Sequence, residues 1–245
     1  MKTKIVILAA GKGKRMGSEI PKALIPLDGK PMISYLAESV VTAGLDDRPI
    51  VVVSPDNQKI IQQALSAYAW DYAIQTEQLG TGHAVACAQS LIPADTDNIV
   101  VLYCDQPFVQ AASIRRFGDV KADVTIMTTE LGDFNDWRQN FYHLGRIIRN
   151  SEGMVEKIVE FKDANPAEIA VTETNVGFVR FNSRWLWENI KKLKNDNKQQ
   201  EYYLTTLIEI ACQQGLKVDA LLVEPKEALG INSFEELKIA EDVNC

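Results

Sequence analysis

Histidine is almost missing from this chain: His83 and His143 are the only two in 245 residues. That leaves little room for a histidine-rich metal centre. The four cysteines, Cys87, Cys104, Cys212 and Cys245, are scattered without a CxxC spacing. They read as reduced thiols of a cytoplasmic protein, not as a disulfide framework or a zinc site. No dense basic block occurs and the formal net charge is −7, so a nucleic-acid surface is not indicated. Phosphate ligands stay open, but the cations for them must be gathered locally. No apolar run approaches the length of a membrane span. After Met1-Lys2-Thr3-Lys4 the stretch 5–10 is too short for a signal core with its cleavage site, so a cytoplasmic location is expected. No internal repeat is visible.

What the chain does have is enough apolar sequence for a core, 46% of its residues, with 24% charged. Its length suits one large α/β domain, 1–245. Short apolar runs recur at 4–9, 49–54, 71–75, 98–104 and 122–129 and read as strands. Helical spacing separates several of them, at 32–43, 58–66 and 83–90. Runs apolar on both faces, alternating with helices, predict a mostly parallel, Rossmann-like sheet with helices on both faces. The second half is less regular. Strands are expected at 145–149, 155–161, 175–181 and 217–223, some of them antiparallel. Helices are expected at 184–193, 202–214 and 233–243, the last with Ser233 as N-cap and Glu236 at the capping-box position. The polar stretch 191–200 reads as a surface loop or frayed helix end.

The first strand runs into Leu8-Ala9-Ala10-Gly11-Lys12-Gly13-Lys14-Arg15-Met16. Glycines let a backbone turn tightly and approach phosphates, and Lys12, Lys14 and Arg15 bring charge beside those amides. The loop lacks the GK[ST] ending of a Walker A motif and the third glycine of the dinucleotide fingerprint. Alone, it could equally be a glycine turn with solvated lysines. Pro21-Lys22-Ala23-Leu24 and Leu27-Asp28-Gly29-Lys30-Pro31-Met32 come next. The order LAAGxGxRM…PKxL…LxGKPM resembles the start of the sugar-phosphate nucleotidyltransferases. That resemblance implies that the loop (Leu8, Ala10, Gly11, Gly13) and Lys22 grip a nucleoside triphosphate, with Arg15 and Lys22 as the catalytic cations. Fixed cations suit in-line attack on the α-phosphorus, where charge builds on the equatorial oxygens.

Further segments extend the resemblance. Gln75-Thr76-Glu77-Gln78-Leu79-Gly80-Thr81-Gly82-His83-Ala84 is similar to the base-reading segment of bacterial N-acetylglucosamine-1-phosphate uridylyltransferases, which puts Gln75, Gly80 and Thr81 on the base. An amide offers both donor and acceptor, as the uracil edge requires. The same residues also fit a helix N-terminus capped by Thr81, and the two readings are compatible. His83 is read as packed at that helix start rather than catalytic. Asp105, in Tyr103-Cys104-Asp105-Gln106-Pro107, ends a strand, where a carboxylate is well placed for a hard cation. By resemblance Asp105 binds Mg²⁺ together with Asn232 of Leu229-Gly230-Ile231-Asn232. The segments Leu144-Gly145-Arg146-Ile147, 155–164 and Glu173-Thr174-Asn175-Val176-Gly177 resemble the sugar-binding segments of the family and imply Gly145, Glu160 and Asn175, with Tyr103, as sugar contacts. Glu201-Tyr202-Tyr203-Leu204-Thr205 matches a stretch near the sugar, or is simply an amphipathic helix start.

The resemblance implies a Mg²⁺-dependent enzyme that joins UTP to N-acetylglucosamine 1-phosphate by direct attack, releasing pyrophosphate. Departures are Cys104 where glycine is usual, Leu144 for a common tyrosine, variation over 132–142, and Phe234 after Ser233. The acetyltransferase β-helix of bifunctional members, and trimerisation through it, are expected to be absent. Two other readings stand beside this one: a nucleotidyltransferase for a different sugar or an alcohol phosphate, and a non-catalytic nucleotide-sugar sensor. The sequence gives no oligomeric state.

Overall fold

The structure is a computed structural model that describes residues 1–11, 13, 17 and 20–244. The first half of the described chain forms β1 (Thr3–Leu8), a hairpin of β2 (Pro26–Leu27) and β3 (Lys30–Pro31), α1 (Met32–Ala43), β4 (Ile50–Val53), α2 (Gln58–Ala64), β5 (Asp71–Ile74), α3 (Thr81–Cys87), β6 (Asn98–Tyr103), α4 (Ala111–Asp119) and β7 (Val124–Glu130). The second half adds β8 (Arg146–Arg149), β9 (Val155–Val159), a single turn α5 (Pro166–Ile169), β10 (Glu173–Asn182), α6 (Ser183–Asn189), α7 (Thr206–Gln213), β11 (Val218–Leu222) and α8 (Phe234–Asn244).

The main sheet runs β11-β7-β10-β6-β1-β4-β5, with β8 and β9 continuing from β10. Pairings β1–β4, β1–β6, β4–β5 and β7–β11 are parallel, while β10 is antiparallel to β6, β7 and β8. The mostly parallel α/β sheet expected from the sequence is present, and every antiparallel pairing within it involves a second-half strand, β8, β9 or β10, as expected, while the β2–β3 hairpin forms a separate antiparallel pair.

The apolar runs are continuous because both faces of the strands are covered. Ile5 and Ile7 of β1 pack in one buried cluster, whereas Val6 and Leu8 pack in another. The same alternation holds for Val100 and Leu102 against Ile99 and Val101 of β6. Helices α1, α2, α4 and α8 supply buried residues to the first cluster, and α3, α6 and α7 to the second. Among the described residues no helix is long and apolar enough to cross a membrane.

Several sequence expectations need correction. The helix expected over 202–214 starts only at Thr206, because the backbone groups before it are claimed elsewhere. Tyr202 N–H donates to Leu79 O at 2.8 Å, Gly82 N–H donates to Tyr202 O at 2.8 Å, and Leu204 N–H donates to Thr81 Oγ1 at 3.0 Å. Thr81 is therefore not the cap of α3. Gly80 occupies the N-cap position with φ 110°, and the Thr81 hydroxyl accepts from the strap at 201–205 instead. Helix α4, absent from the sequence reading, covers one face of the sheet with Ile114 and Phe117. The capping box before α8 is displaced by one residue. Ser233 Oγ accepts the Glu236 N–H at 3.2 Å, but Glu236 Oε2 accepts from Asn232 N–H at 2.5 Å, so the box holds Asn232 itself.

Helix α1 ends at Gly44, whose φ of 65° and ψ of 31° are left-handed, with its N–H donating to Val40 O and Val41 O. Gly44→Ala is expected to cost about 1 kcal/mol in urea unfolding, the penalty for a Cβ in that conformation. An unchanged midpoint would show that the turn relaxes without strain.

Candidate active site

The C-terminal ends of β1, β5 and β6 open onto one cleft, the position at which open α/β sheets bind ligands. Ala9 N–H donates to Val52 O at 2.8 Å, and the buried Asn57 side chain donates to Ala9 O at 2.9 Å while accepting Ser54 N–H at 2.9 Å. These bonds fix where the chain leaves β1 for the Gly-rich loop. Gly13 has φ 57°, and a Cβ there would stand 2.9 Å from Lys22 Cβ, so Gly13 lies directly on Lys22. Arg15 lies outside the described residues, as do Lys12 and Lys14.

Two pockets meet at this cleft. Leu8, Ala10, Gly11, Lys22, Gln75, Gly80 and Thr81, all expected on the nucleotide, line the first, a cavity of about 220 Å³. Tyr103, Gly145, Glu160 and Asn175, expected on the sugar, line the second. Thr81, Tyr103, Asp105 and Glu201 line both. Gly13 lines neither and packs against Lys22.

At the junction Lys22 Nζ is paired with Asp105 Oδ2 and donates to Asn232 Oδ1 at 2.7 Å. A carboxylate and an amide oxygen from distant parts of the sequence thus converge on one cation, here the ammonium of Lys22. Two hard oxygens are the donor set of a magnesium ion that takes its other ligands from water and phosphate. Asp105 and Asn232 fit that ion by the chemistry of their donors. Among the described residues no group of three or more His, Cys, Asp or Glu side chains is placed to hold a metal.

In the first pocket the Gln75 amide is oriented by its surroundings. Nε2 donates to Gly80 O at 3.2 Å and contacts His83 Nδ1 at 3.1 Å. A backbone carbonyl only accepts, so the nitrogen belongs on that side and Oε1 is left as an acceptor. His83, packed at the start of α3 as expected, therefore holds Gln75.

In the second pocket the pairing of β10 with β7 slips between Asn175 and Val179, and Gly177 takes φ 97° within the irregularity. Such bulges re-aim side chains at sites. Asn175 Oδ1 accepts the Gly177 N–H at 3.0 Å, which leaves the Asn175 amide hydrogens as donors. Glu160 Oε1 accepts from the Thr205 hydroxyl at 2.9 Å. Burial pushes the Glu160 carboxyl above its ordinary range. The Thr205 bond opposes that shift, and Asp163 and Glu201 reinforce it. Burial likewise raises the Tyr103 phenol and pushes the neighbouring Cys104 thiol up to about 12, so Cys104 is an unreactive thiol in the cleft wall.

Sequence reasoning missed several lining residues, Gln106, His143, Gly177 and Gln199, whereas Tyr203 belongs to the stretch that the resemblance put near the sugar. Gln199 belongs to the stretch read as a surface loop. Lys162 Nζ donates to Gln199 Oε1 at 2.8 Å, and Gln199 Nε2 donates to Tyr203 OH at 2.6 Å, so that loop is a pocket wall. The buried Arg146 has no carboxylate partner among the described residues. It donates to Tyr142 O at 2.7 Å, Leu144 O at 2.5 Å and Ile169 O at 3.2 Å, and it stacks 4.7 Å from the Phe134 ring. It holds the 142–145 turn at the pocket rim.

Residues 5–206 match the family described as the MobA-like NTP transferase domain. The chain belongs to that family. It is 39% identical over 243 residues to the bifunctional protein GlmU of Desulfotalea psychrophila, covering 97% of this chain and 69% of that protein. It is 40% identical over 247 residues to GlmU of Ruegeria sp., with 99% and 53% covered, and 36% identical over 242 residues to GlmU of Clostridium perfringens, with 97% and 51% covered. The chain spans about half the length of most of these relatives. The inositol-1-phosphate CTP transferase of T. maritima shares the fold, with a TM-score of 0.76 at 14% identity over 100% of this chain and 96% of that one. The chain is thus a nucleotidyltransferase of the GlmU type, with the family's alternating α/β architecture around the cleft.

A Cβ on Gly80 would lie 2.7 Å from Tyr202 N and 2.8 Å from Tyr202 O, at a φ closed to other residues. Gly80→Ala is expected to lower stability by about 2 kcal/mol in urea unfolding and to weaken nucleotide binding. Unaltered stability and binding would show that the strap at 201–205 yields freely. For Glu160, a folded-state value above the unfolded one means stability is lost as pH rises through the folded-state value. Glu160→Gln is expected to unfold at higher urea than wild type at pH 8, with the difference vanishing towards pH 4. A wild type more stable than the variant at pH 8 would refute the burial argument.

Proposed function

We propose that this nucleotidyltransferase transfers UMP from UTP to a sugar 1-phosphate, N-acetylglucosamine 1-phosphate first among them, and releases pyrophosphate. The observation that carries the reading is the meeting of the two pockets at Lys22, Asp105 and Asn232. A triphosphate in the first and a sugar phosphate in the second would bring their phosphates to that junction. The curated relatives named GlmU support the choice within the family. For the base, the acceptor Oε1 of Gln75 suits the N3–H of uracil, whereas N3 of cytosine is itself an acceptor.

The acceptor phosphate is already ionised at neutral pH, so one of its oxygens attacks the α-phosphorus without a general base. The new bond is sugar-phosphate O–Pα, and the bond between Pα and the bridging oxygen to Pβ breaks, leaving as pyrophosphate. Lys22, with Arg15 of the Gly-rich loop, stabilises the charge that builds on the phosphoryl oxygens. Asp105 and Asn232 would hold Mg²⁺, which when bound neutralises the phosphate oxygens and supports the leaving pyrophosphate. Gly145, Glu160, Asn175 and Tyr103 orient the sugar, so that catalysis is positioning and charge stabilisation. The enzyme is read as cytoplasmic, with small-molecule substrates and no nucleic-acid or membrane partner.

Pyrophosphate release with magnesium, crossing UTP, dTTP, CTP, ATP and GTP with N-acetylglucosamine 1-phosphate, N-acetylgalactosamine 1-phosphate, glucose 1-phosphate and inositol 1-phosphate, tests this directly. UTP with an N-acetylhexosamine 1-phosphate is the expected pair. Turnover only with CTP and inositol 1-phosphate would sink both assignments. Asp105→Asn is expected to reduce kcat by about 10²–10³-fold with an unchanged circular dichroism spectrum. Near wild-type turnover of that variant would remove Asp105 from the machinery.

A further inference from the structure

Gln75 directly follows β5, is 3% exposed and lines the first pocket. Both hydrogens of its Nε2 have a partner: the nitrogen donates to Gly80 O at 3.2 Å and faces His83 Nδ1 at 3.1 Å. Oε1 has no hydrogen-bond partner among the described residues, and it is not one of their sealed polar atoms, as the oxygen of Gln106 is. Gln75 Oε1 is therefore the free face of this amide in the pocket.

The Gly80 carbonyl decides more than the orientation of Gln75. A carbonyl only accepts, so Nε2 and not Oε1 lies between Gly80 and His83. A donor facing His83 Nδ1 requires that ring nitrogen to be bare, and the ring hydrogen then belongs on Nε2. That hydrogen meets a weak acceptor: Cys87 Sγ lies 3.9 Å from His83 Nε2, four residues on along α3 and on the same face. Gly80, Gln75, His83 and Cys87 thus form one directional chain in which each donor faces an acceptor. Turning the Gln75 amide over would break both of its bonds and set Oε1 against two acceptors.

We propose that His83 is a positioning residue for base choice: its bare Nδ1 keeps Gln75 Oε1 turned to the base, which favours uracil over cytosine. This rests on the reading of the first pocket as the nucleotide site with Gln75 on the base. Uracil offers N3–H to that oxygen, whereas cytosine offers the lone pair of N3 and needs the amide reversed. Gly80 supplies one of the two bonds that resist reversal, and His83 supplies the other. Without His83 the reversal costs one bond instead of two, and CTP becomes a better substrate relative to UTP.

The test is the ratio of kcat/KM for UTP over CTP, with N-acetylglucosamine 1-phosphate as acceptor, in wild type, His83→Leu and His83→Asn. Leucine fills the space but accepts nothing. Asparagine carries Oδ1 as many bonds from Cα as Nδ1 stands in histidine. His83→Leu is expected to lower the ratio about fivefold to tenfold, the worth of one hydrogen bond, and His83→Asn to restore most of it. A merely structural role would slow both nucleotides alike. A ratio unchanged in His83→Leu, or as low in His83→Asn as in His83→Leu, overturns the proposal. Should the variants not fold, nitrogen-15 NMR of the neutral His83 ring decides. With only two histidines in the chain, His143→Gln identifies the His83 signals. Hydrogen on Nε2 supports the proposal, and hydrogen on Nδ1 overturns it. A wild type that prefers CTP would instead defeat the base assignment itself.

Discussion

A single charge organises this molecule's working end. The ammonium of Lys22 lies between the Asp105 carboxylate and the Asn232 amide oxygen, and each of the three is delivered by a different part of the fold. Lys22 comes from a short helical turn after the Gly-rich loop, Asp105 from the end of β6, and Asn232 from the backbone held by the capping box of α8. Two oxygens converging on one site without a cation would repel each other, and in this partly buried place the repulsion would be weakly screened. The lysine relieves that repulsion while it keeps the two oxygens aimed at a common point. The cleft therefore holds its geometry with its own cation.

The sheet supplies the rigidity that such a junction needs. A one-residue slip of a strand buried on both faces would send each side chain into the opposite core, whose packing it does not fit. That is why β1 and β6, whose residues divide between two cores, were readable from their apolar runs alone, and why the parallel half of the sheet was readable with them. The candidate residues at these strand ends were also legible, through the resemblance, because the segments that carry it are local. Gln75, Gly80, Thr81 and Asp105 sit in short segments whose side chains reach the same cleft. The residues expected on the sugar needed the resemblance, since Gly145, Glu160 and Asn175 come together in the second pocket only through the antiparallel additions β8, β9 and β10.

The features that escaped the sequence share one cause: polar groups spoken for by distant partners. Tyr202 and Leu204 have helical spacing with the residues after them, yet their amides serve Leu79 and Thr81, so the local preference loses. Gln199 is a polar residue in a polar stretch, and only its contacts with Lys162 and Tyr203 make it a wall. Gln106 is one unremarkable amide before a proline, and nothing in its neighbours reveals that its nitrogen is committed to two carbonyls while its oxygen is not. Arg146 stands among aromatic rings that the sequence scatters from Phe134 to Phe161. Arg15, the remaining expected catalytic cation, lies outside the described residues.

The strap at 201–205 is bonded to the loop at 79–82 and also borders the second pocket, so Thr81, Tyr103 and Glu201 line both pockets, and on the proposed reading each would face nucleotide and sugar at once. A substitution at any of them alters two recognition energies in one step, and the changes are not additive. The preferences for nucleotide and for acceptor are therefore not separate dials. A lineage that drifts towards a new sugar through these shared positions must re-optimise its grip on the base as well. Positions that face one pocket only, such as Gln75 on one side and Gly145 on the other, are the ones at which a single preference can change alone.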